Sequence, residues 1–232
     1  MNADSVKVWD LFVRAGHWLL VALFAVSYLS GEEGGRLHIW SGYAIAALVV
    51  IRVVWGFVGP QHARFTDFVF TPARIARYVK NLVAGHPRRF IGHSPAGGVM
   101  VVLLLAALAG TTFTGMAQYA QETGNGPLAP WYAAAVEAPS VVGTARADEE
   151  GEAGEYGEAY AGGEAEEADE AEEADGGEAF EEVHETLANV TLALIGLHIA
   201  GVAYASWIHH ENLIKAMVTG RKRVDEQPAG GD

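Results

Sequence analysis

The chain has 232 residues, half of them apolar and 19% charged, with a formal net charge of −14 and no cysteine. The missing cysteine excludes a disulfide framework, thiolate metal sites, iron–sulfur ligation, haem attachment through Cys-x-x-Cys-His and thiol catalysis. Basic residues are too sparsely clustered for nucleic-acid binding. The acid is segregated. Between Asp148 and Glu182 there are 17 Asp and Glu and no Lys or Arg, and the remainder holds 12 acids against 15 bases, a net of +3. The body of the protein is therefore apolar and slightly basic, which is how a strongly acidic chain keeps a positive mean hydropathy.

A helix needs about 20 mainly apolar residues to cross the hydrocarbon core of a bilayer. In chain order, four segments reach or approach that length. The first runs from Leu11 to Ser30, with Arg14 and His17 near its start. It lacks a small-residue cleavage site and is long enough to span, so it does not read as a signal peptide. The second, His38 to Val58, is interrupted by Arg52. The connection from Gly59 to Pro95 is basic, and Pro72 to Leu82 within it has the pattern of an amphipathic helix lying at the membrane surface. The third span, Ala96 to Ala120, has no charged residue. The stretch from Gln121 to Glu182 is rich in Gly, Ala and Glu. Between Asp148 and Asp175 it has too little apolar content to bury a core, so it is expected to be disordered or solvated, with transient helix in its Ala/Glu runs. Pro127–Tyr132 looks more ordered. The fourth span, His184 to Ile208, contains His198.

Lys and Arg set the orientation. Lys7 and Arg14, the cluster Arg64, Arg74, Arg77, Lys80, Arg88 and Arg89, and the tail with Lys215, Arg221, Lys222 and Arg223 belong on one face, the cytoplasmic one. The short loop at Gly31–Arg36 and the acidic loop belong on the other. Trp18, Trp40, Trp55 and Trp207 fall near span ends, as an interfacial aromatic belt requires. The expected fold class is all-α, an integral membrane four-helix bundle with both termini cytoplasmic and a long acidic, disordered loop between helices 3 and 4. Its expected parts are helices 1–3 over residues 1–120 with the basic cytoplasmic loop at 59–95, the external loop at 121–182, helix 4 at 183–210 and a cytoplasmic tail at 211–232. The expected location is a bacterial inner (plasma) membrane, crossed several times.

Ionisable groups inside spans are costly and usually functional. Of nine His, four lie in or at the ends of spans: His17, His38, His184 and His198. His184 and His198 are 14 residues apart, which on a helix falls only ~40° short of full turns and separates them by ~21 Å, so both point to one face at different depths. His38 and His184 share the outer level, and His17 and His198 the inner one. Two His at one depth on different helices can supply both axial ligands of a haem. Such ligation leaves no open iron position and suits electron transfer. Gly16, Gly42 and Gly201 stand close to the histidines and give a flat macrocycle room. Arg14, Arg36 and Arg52 are candidate partners for haem propionates. A bare transition metal competes for the imidazoles, but two His per level without an acidic neighbour at depth is thin coordination for it.

Several stretches resemble one family. They are Arg14-Ala-Gly-His17-Trp18, Leu37-His38-Ile-Trp-Ser-Gly42, Arg52-Val-Val-Trp55-Gly56, Gly92-His93-Ser-Pro95-Ala-Gly97-Gly98, His184-Glu185-Thr-Leu-Ala-Asn189, Gly196-Leu-His198, Glu211-Asn212-Leu and Thr219-Gly-Arg-Lys-Arg223. Together they are similar to the bacterial cytochrome b561 and nickel–iron hydrogenase b-type cytochrome subunit family. The resemblance covers nearly the whole chain except the acidic loop. It implies a four-helix membrane cytochrome with b haems that passes electrons between the quinone pool and a partner. It also implies the four histidines as haem ligands, in the pairs His38/His184 and His17/His198.

The leading expectation is thus a di-haem b cytochrome, with two haem b groups and quinone as substrate. It relays electrons across the membrane to or from an external redox protein, either a c-type cytochrome or a dehydrogenase or hydrogenase. The 17 acids of the loop would draw in a basic partner; a solvated spacer is the plainer account of them. Other readings are a stand-alone quinone reductase acting on superoxide or ferric iron, and a metal or proton transporter using the histidines as a pathway. His93 is a candidate quinone or propionate contact, while Ser94 and Pro95 beside it have the chemistry of a helix start. His209 and His210 read as interfacial residues, and His62 and His86 have no assigned role.

Overall fold

The computed structural model describes residues 5–32, 34–85, 88–136 and 163–223. It divides into two compact units, Met1–Thr112 with Glu185–Asp232, and Phe113–His184. In chain order the elements are a short strand β1 (Ser5–Lys7), α1 (Leu11–Leu29), α2 (Arg36–Val58), a 3-10 turn (Gln61–Ala63), α3 (Phe65–Phe68), α4 (Pro72–Val83), α5 (Pro95–Thr123), α6 (Ala129–Val136), α7 (Gly163–Ile208), α8 (Leu213–Thr219) and β2 (Arg221–Arg223). Four helical stretches are long and apolar enough to cross a membrane: Leu11–Leu29, Arg36–Val58, Pro95–Thr123 and Ala179–Ile208. They coincide with the four expected spans to within a few residues. The amphipathic helix expected over 72–82 is also present as α4.

Local chemistry fixes where these helices begin and end. Asp10 caps α1, its carboxylate accepting the Val13 N–H at 3.0 Å, which satisfies an otherwise orphaned donor of the first turn. Ser94 does the same for α5, accepting the Gly97 N–H at 3.2 Å, with Pro95 at the first helical position where its missing N–H costs nothing. Asn212 caps α8 through the Lys215 N–H at 2.7 Å. Gly220 closes α8 in the left-handed region (φ 78°), a conformation that favours glycine.

In the first unit the buried residues Ile45, Val49 and Leu108 form a core with Leu20, Leu23, Phe24 and Leu105. Thr191 is fully buried. Its hydroxyl donates to the Leu187 carbonyl at 2.8 Å and meets the Thr111 hydroxyl at 3.3 Å. Beside it, a side-chain carbon on Gly110 would lie 3.2 Å from Leu187. Small and hydroxyl-bearing residues at a crossing are what apolar helices use to approach closely when lipid offers no hydrophobic gain. Leu19, Val50, Phe57, Leu103, Leu197 and Ile199 are exposed on the spans, as a lipid-facing surface requires. The second unit has its own small core, Ala117, Ala120 and Leu128 with Met116, Tyr132 and Phe180.

Two further features stand out beside the spans. Within 121–182, α6 (129–136) overlaps Pro127–Tyr132, the part expected to be more ordered, and residues 163–182, in the acidic stretch expected to be solvated with transient helix, belong to α7; residues 137–162 lie outside the described residues. Ala and Glu are strong helix formers, and a span that is already helical removes the nucleation cost for residues added at its end. The second, which the sequence did not suggest, is the ribbon β1–β2, antiparallel with Ser5 opposite Arg223 and Lys7 opposite Arg221. The Val8 and Trp9 N–H groups extend it by donating to the Gly220 carbonyl at 2.8 and 3.2 Å. Next to it Arg89 pairs with the buried Glu211 at 3.1 Å and also donates to the Arg223 carbonyl.

Candidate functional site

The histidines of the spans are positioned by the helices just described. His17 lies two turns into α1, fixed in register by the Asp10 cap, and His198 lies in the last third of α7. Their ring centres are 6.4 Å apart with an angle of 56° between planes. Two imidazoles on opposite sides of one iron, each nitrogen about 2 Å from the metal, place their ring centres roughly 6 Å apart. The observed spacing fits such a ligand pair. Carbons added at Gly16, Gly42, Gly196 or Gly201 would meet no neighbouring atom within 4 Å, so these backbones are open to close approach by another group. The His17 Nδ1 is buried and has no hydrogen-bond partner among the described residues.

His38, in the first turn of α2, is held differently. Its Nδ1 is 2.9 Å from the Ser27 carbonyl oxygen of α1. A carbonyl only accepts, so Nδ1 carries the proton and the lone pair is on Nε2. A carbonyl accepting from one ring nitrogen in this way orients an imidazole and makes its other nitrogen a more basic metal ligand. His184 belongs to the second unit. Its Nδ1 lies 3.4 Å from the Thr114 hydroxyl, and its ring rests on Gly115, where an added carbon would come within 2.8 Å of Cε1. Gly115 is a positioning residue that the sequence reading missed. Its signal was a glycine in an otherwise apolar span, which points equally to ordinary helix packing.

The arginines separate. Arg36 is exposed at the first residue of α2. The Arg14 Nε is buried without a partner among the described residues, and its guanidinium lies against Gly220. Arg52 is tied to the turn after α2, donating to the Ala63 carbonyl at 3.3 Å and lying 5.7 Å over the Phe65 ring.

His93, just before α5, is packed between Trp9 and Phe68, each ring centre 4.5 Å away, and its Nδ1 is buried without a partner among the described residues. Burial, reinforced by the charges of Arg52, Lys222, His62 and His198, lowers its pKa to about 3. It is therefore neutral near pH 7. His62, to which sequence gave no role, pairs with Asp67 at 3.0 Å. His209 has its pKa lowered by burial and then by Arg89. The carbonyl of His210 accepts from Arg223.

Comparison with known proteins gives the family. Residues 8–220 match the family described as prokaryotic cytochrome b561. A protein of Rhizobium leguminosarum bv. viciae named "Probable Ni/Fe-hydrogenase B-type cytochrome subunit" is 25% identical over 155 residues, 54% of this chain and 64% of that protein. Proteins of the same name from Azotobacter chroococcum mcd 1 and Azotobacter vinelandii are each 30% identical, over 155 residues (54% of this chain, 64% of the relative) and 151 residues (52% and 62%). The chain thus spans a little under two thirds of the length of these relatives. No solved structure matches it.

Proposed function

From the premise that the chain belongs to the prokaryotic cytochrome b561 family, a family of haem b electron-transport proteins with transmembrane helices, we propose that it holds two haem b groups and passes electrons between the quinone pool and an external redox protein. The observation that carries this reading is the 6.4 Å separation of the His17 and His198 rings, the spacing of two imidazoles sharing one iron. His38 and His184 are the ligands that the sequence assigns to the second haem, and the Nδ1–H bond of His38 to Ser27 supports that role. Haem b supplies reversible one-electron transfer at its iron.

The chain's own residues orient the imidazoles, leave room beside Gly16, Gly42, Gly196 and Gly201, and exclude water with the apolar faces of the spans. Arg14, Arg36 and Arg52 are the candidate propionate partners, of which Arg14, with a buried guanidinium nitrogen lacking a partner among the described residues, is the best supported. His93, neutral and wedged between two aromatic rings, is the candidate quinone contact. The names of the relatives make a hydrogenase the first candidate for the external partner. The 17 acids between Asp148 and Glu182 also suit a basic protein such as a c-type cytochrome. The Lys and Arg distribution orients both termini toward the cytoplasm, and the pairing of residues 5–7 with 221–223 is consistent with a shared side. The membrane is then the bacterial inner one. Reduction by a quinol tests the reading. Purified protein in lipid is expected to show b-type bands when duroquinol is added, and a protein whose dithionite-reducible haem stays oxidised with every quinol offered would overturn the quinone link.

A further inference from the structure

The haem reading leaves α4 without a role. At about 100° per residue its side chains sort into three sectors. Ile75, Tyr78 and Leu82 share the packed one, Tyr78 buried and the other two half-buried. Beside it runs a second apolar strip, Pro72, Ala76, Val79 and Val83, and all four are exposed, Val83 at 81%. Lys80 borders this strip, and Arg77 lies next to it around the helix; both are exposed. The helix contains no Asp or Glu. Among the described residues the ion pairs are His62–Asp67 and Arg89–Glu211, so neither Lys80 nor Arg77 has a carboxylate partner there. Arg74 is different, its guanidinium lying 4.6 Å over the Phe70 ring. An exposed apolar strip edged by cations is the pattern of a helix lying in the plane of a bilayer surface. The depth of α4 points the same way independently. Tyr204 of α7 donates to the Leu82 carbonyl at 3.1 Å, which ties the end of α4 to α7 one turn before that span ends at Ile208. In that turn Trp207 is 71% exposed and its ring meets that of Tyr204. Exposed Trp and Tyr at a span end mark the level where headgroups begin.

We propose that α4 is a binding site for anionic phospholipid, with Val79 and Val83 resting on the acyl chains and Lys80 and Arg77 holding the headgroup phosphate. The proposal depends on the spans and not on the haem or quinone reading. A zwitterionic lipid offers the same chains and the same phosphate, but its own cation cancels the charge. The preference for anionic lipid is therefore electrostatic, about fivefold for each cation close to the surface, and it weakens with salt. A helix that merely links α2 to α5 through the turn at 59–71 makes no demand on lipid charge.

The chain has no cysteine, so Val83→Cys carries a single bimane label on the exposed strip. The test places this full-length, haem-loaded protein in phosphatidylcholine nanodiscs containing rising fractions of brominated phosphatidylglycerol or brominated phosphatidylcholine. Bromine on the acyl chains quenches a label that touches them, and each reading is taken against unbrominated discs of the same charge. Both lipids are expected to quench, with phosphatidylglycerol favoured by about fivefold or more. Adding Arg77→Gln and Lys80→Gln removes the preference while quenching by either lipid and the dithionite-reduced spectrum remain. Arg77→Lys keeps the preference. Salt at about 1 M removes it without any change at the cations, since charges are then screened beyond about 3 Å. A label that neither lipid quenches would put α4 off the bilayer and overturn the proposal. Equal quenching by the two lipids at low salt, or a preference that survives the double substitution or high salt, would overturn the anionic site and leave a linking helix.

Discussion

The histidines of the spans are held in two ways. His17 and His198 meet because α1 and α7 bring them together; the His17 Nδ1 is buried with no hydrogen bond among the described residues. His38 and His184 are each steadied by a neighbour of their own, the Ser27 carbonyl for one, the Thr114 hydroxyl and the Gly115 surface for the other. Helix packing positions a side chain coarsely, whereas a hydrogen bond also fixes the tautomer and the rotation of the ring. The first pair should therefore respond mainly to loss of a ligand, and the other two also to changes at the residues that seat them.

The largest expected effect breaks the comparison at its root. His198→Ala removes one of the two haems, about half of the reduced b-type absorbance by the one-iron, two-imidazole count. His17→Ala matches it, and the double variant loses no more than either alone. A smaller effect is expected at the seat of His184. Gly115→Val forces the ring to move and costs about 1–3 kcal/mol of overpacking, read as a lower thermal midpoint with a shifted reduction potential for one haem.

His93 sharpens the contrast, being wedged between the tilted rings of Trp9 and Phe68. Its pKa is lowered to about 3 in the folded protein, against an ordinary value near 6.5. Between those two values the unfolded chain binds the extra proton, so stability is undiminished above about pH 6.5 and falls as the pH drops toward 3. His93→Phe removes that part of the slope, which midpoints at about pH 4.5 and about pH 7.5 would reveal. Ser27→Ala is the smallest. The His38 Nδ1 bonds the Ser27 carbonyl at 2.9 Å and only grazes its hydroxyl at 3.5 Å, so stability and haem content should change by less than about 0.5 kcal/mol and by no measurable amount, respectively.

The spans were legible because lipid demands long apolar runs, and no other constraint writes so plain a pattern. The 14-residue step from His184 to His198 was legible for the same reason, since a span must be helical and a helix turns depth into sequence spacing. What escaped depends on tertiary contact. The strands β1 and β2 have three residues each and no alternation, so only their meeting across the chain makes them a ribbon. His62 and Asp67 form a pair because a 3-10 turn folds back over five residues, and Gly115 matters because His184 lies on it. The helical start of α7 was half legible, since its Ala/Glu runs suggested transient helix while the same acid argued for solvation. The contacts of Arg52 with the Ala63 carbonyl and the Phe65 ring likewise come from a turn folding back, which spacing along a span does not show.

The most direct test is the number of haem b groups per chain in the purified protein, measured as pyridine haemochrome against quantitative amino-acid analysis. Two per chain, both low-spin with bis-imidazole signatures in the oxidised state, is the predicted result. One per chain, or a high-spin iron with an open position, would contradict it.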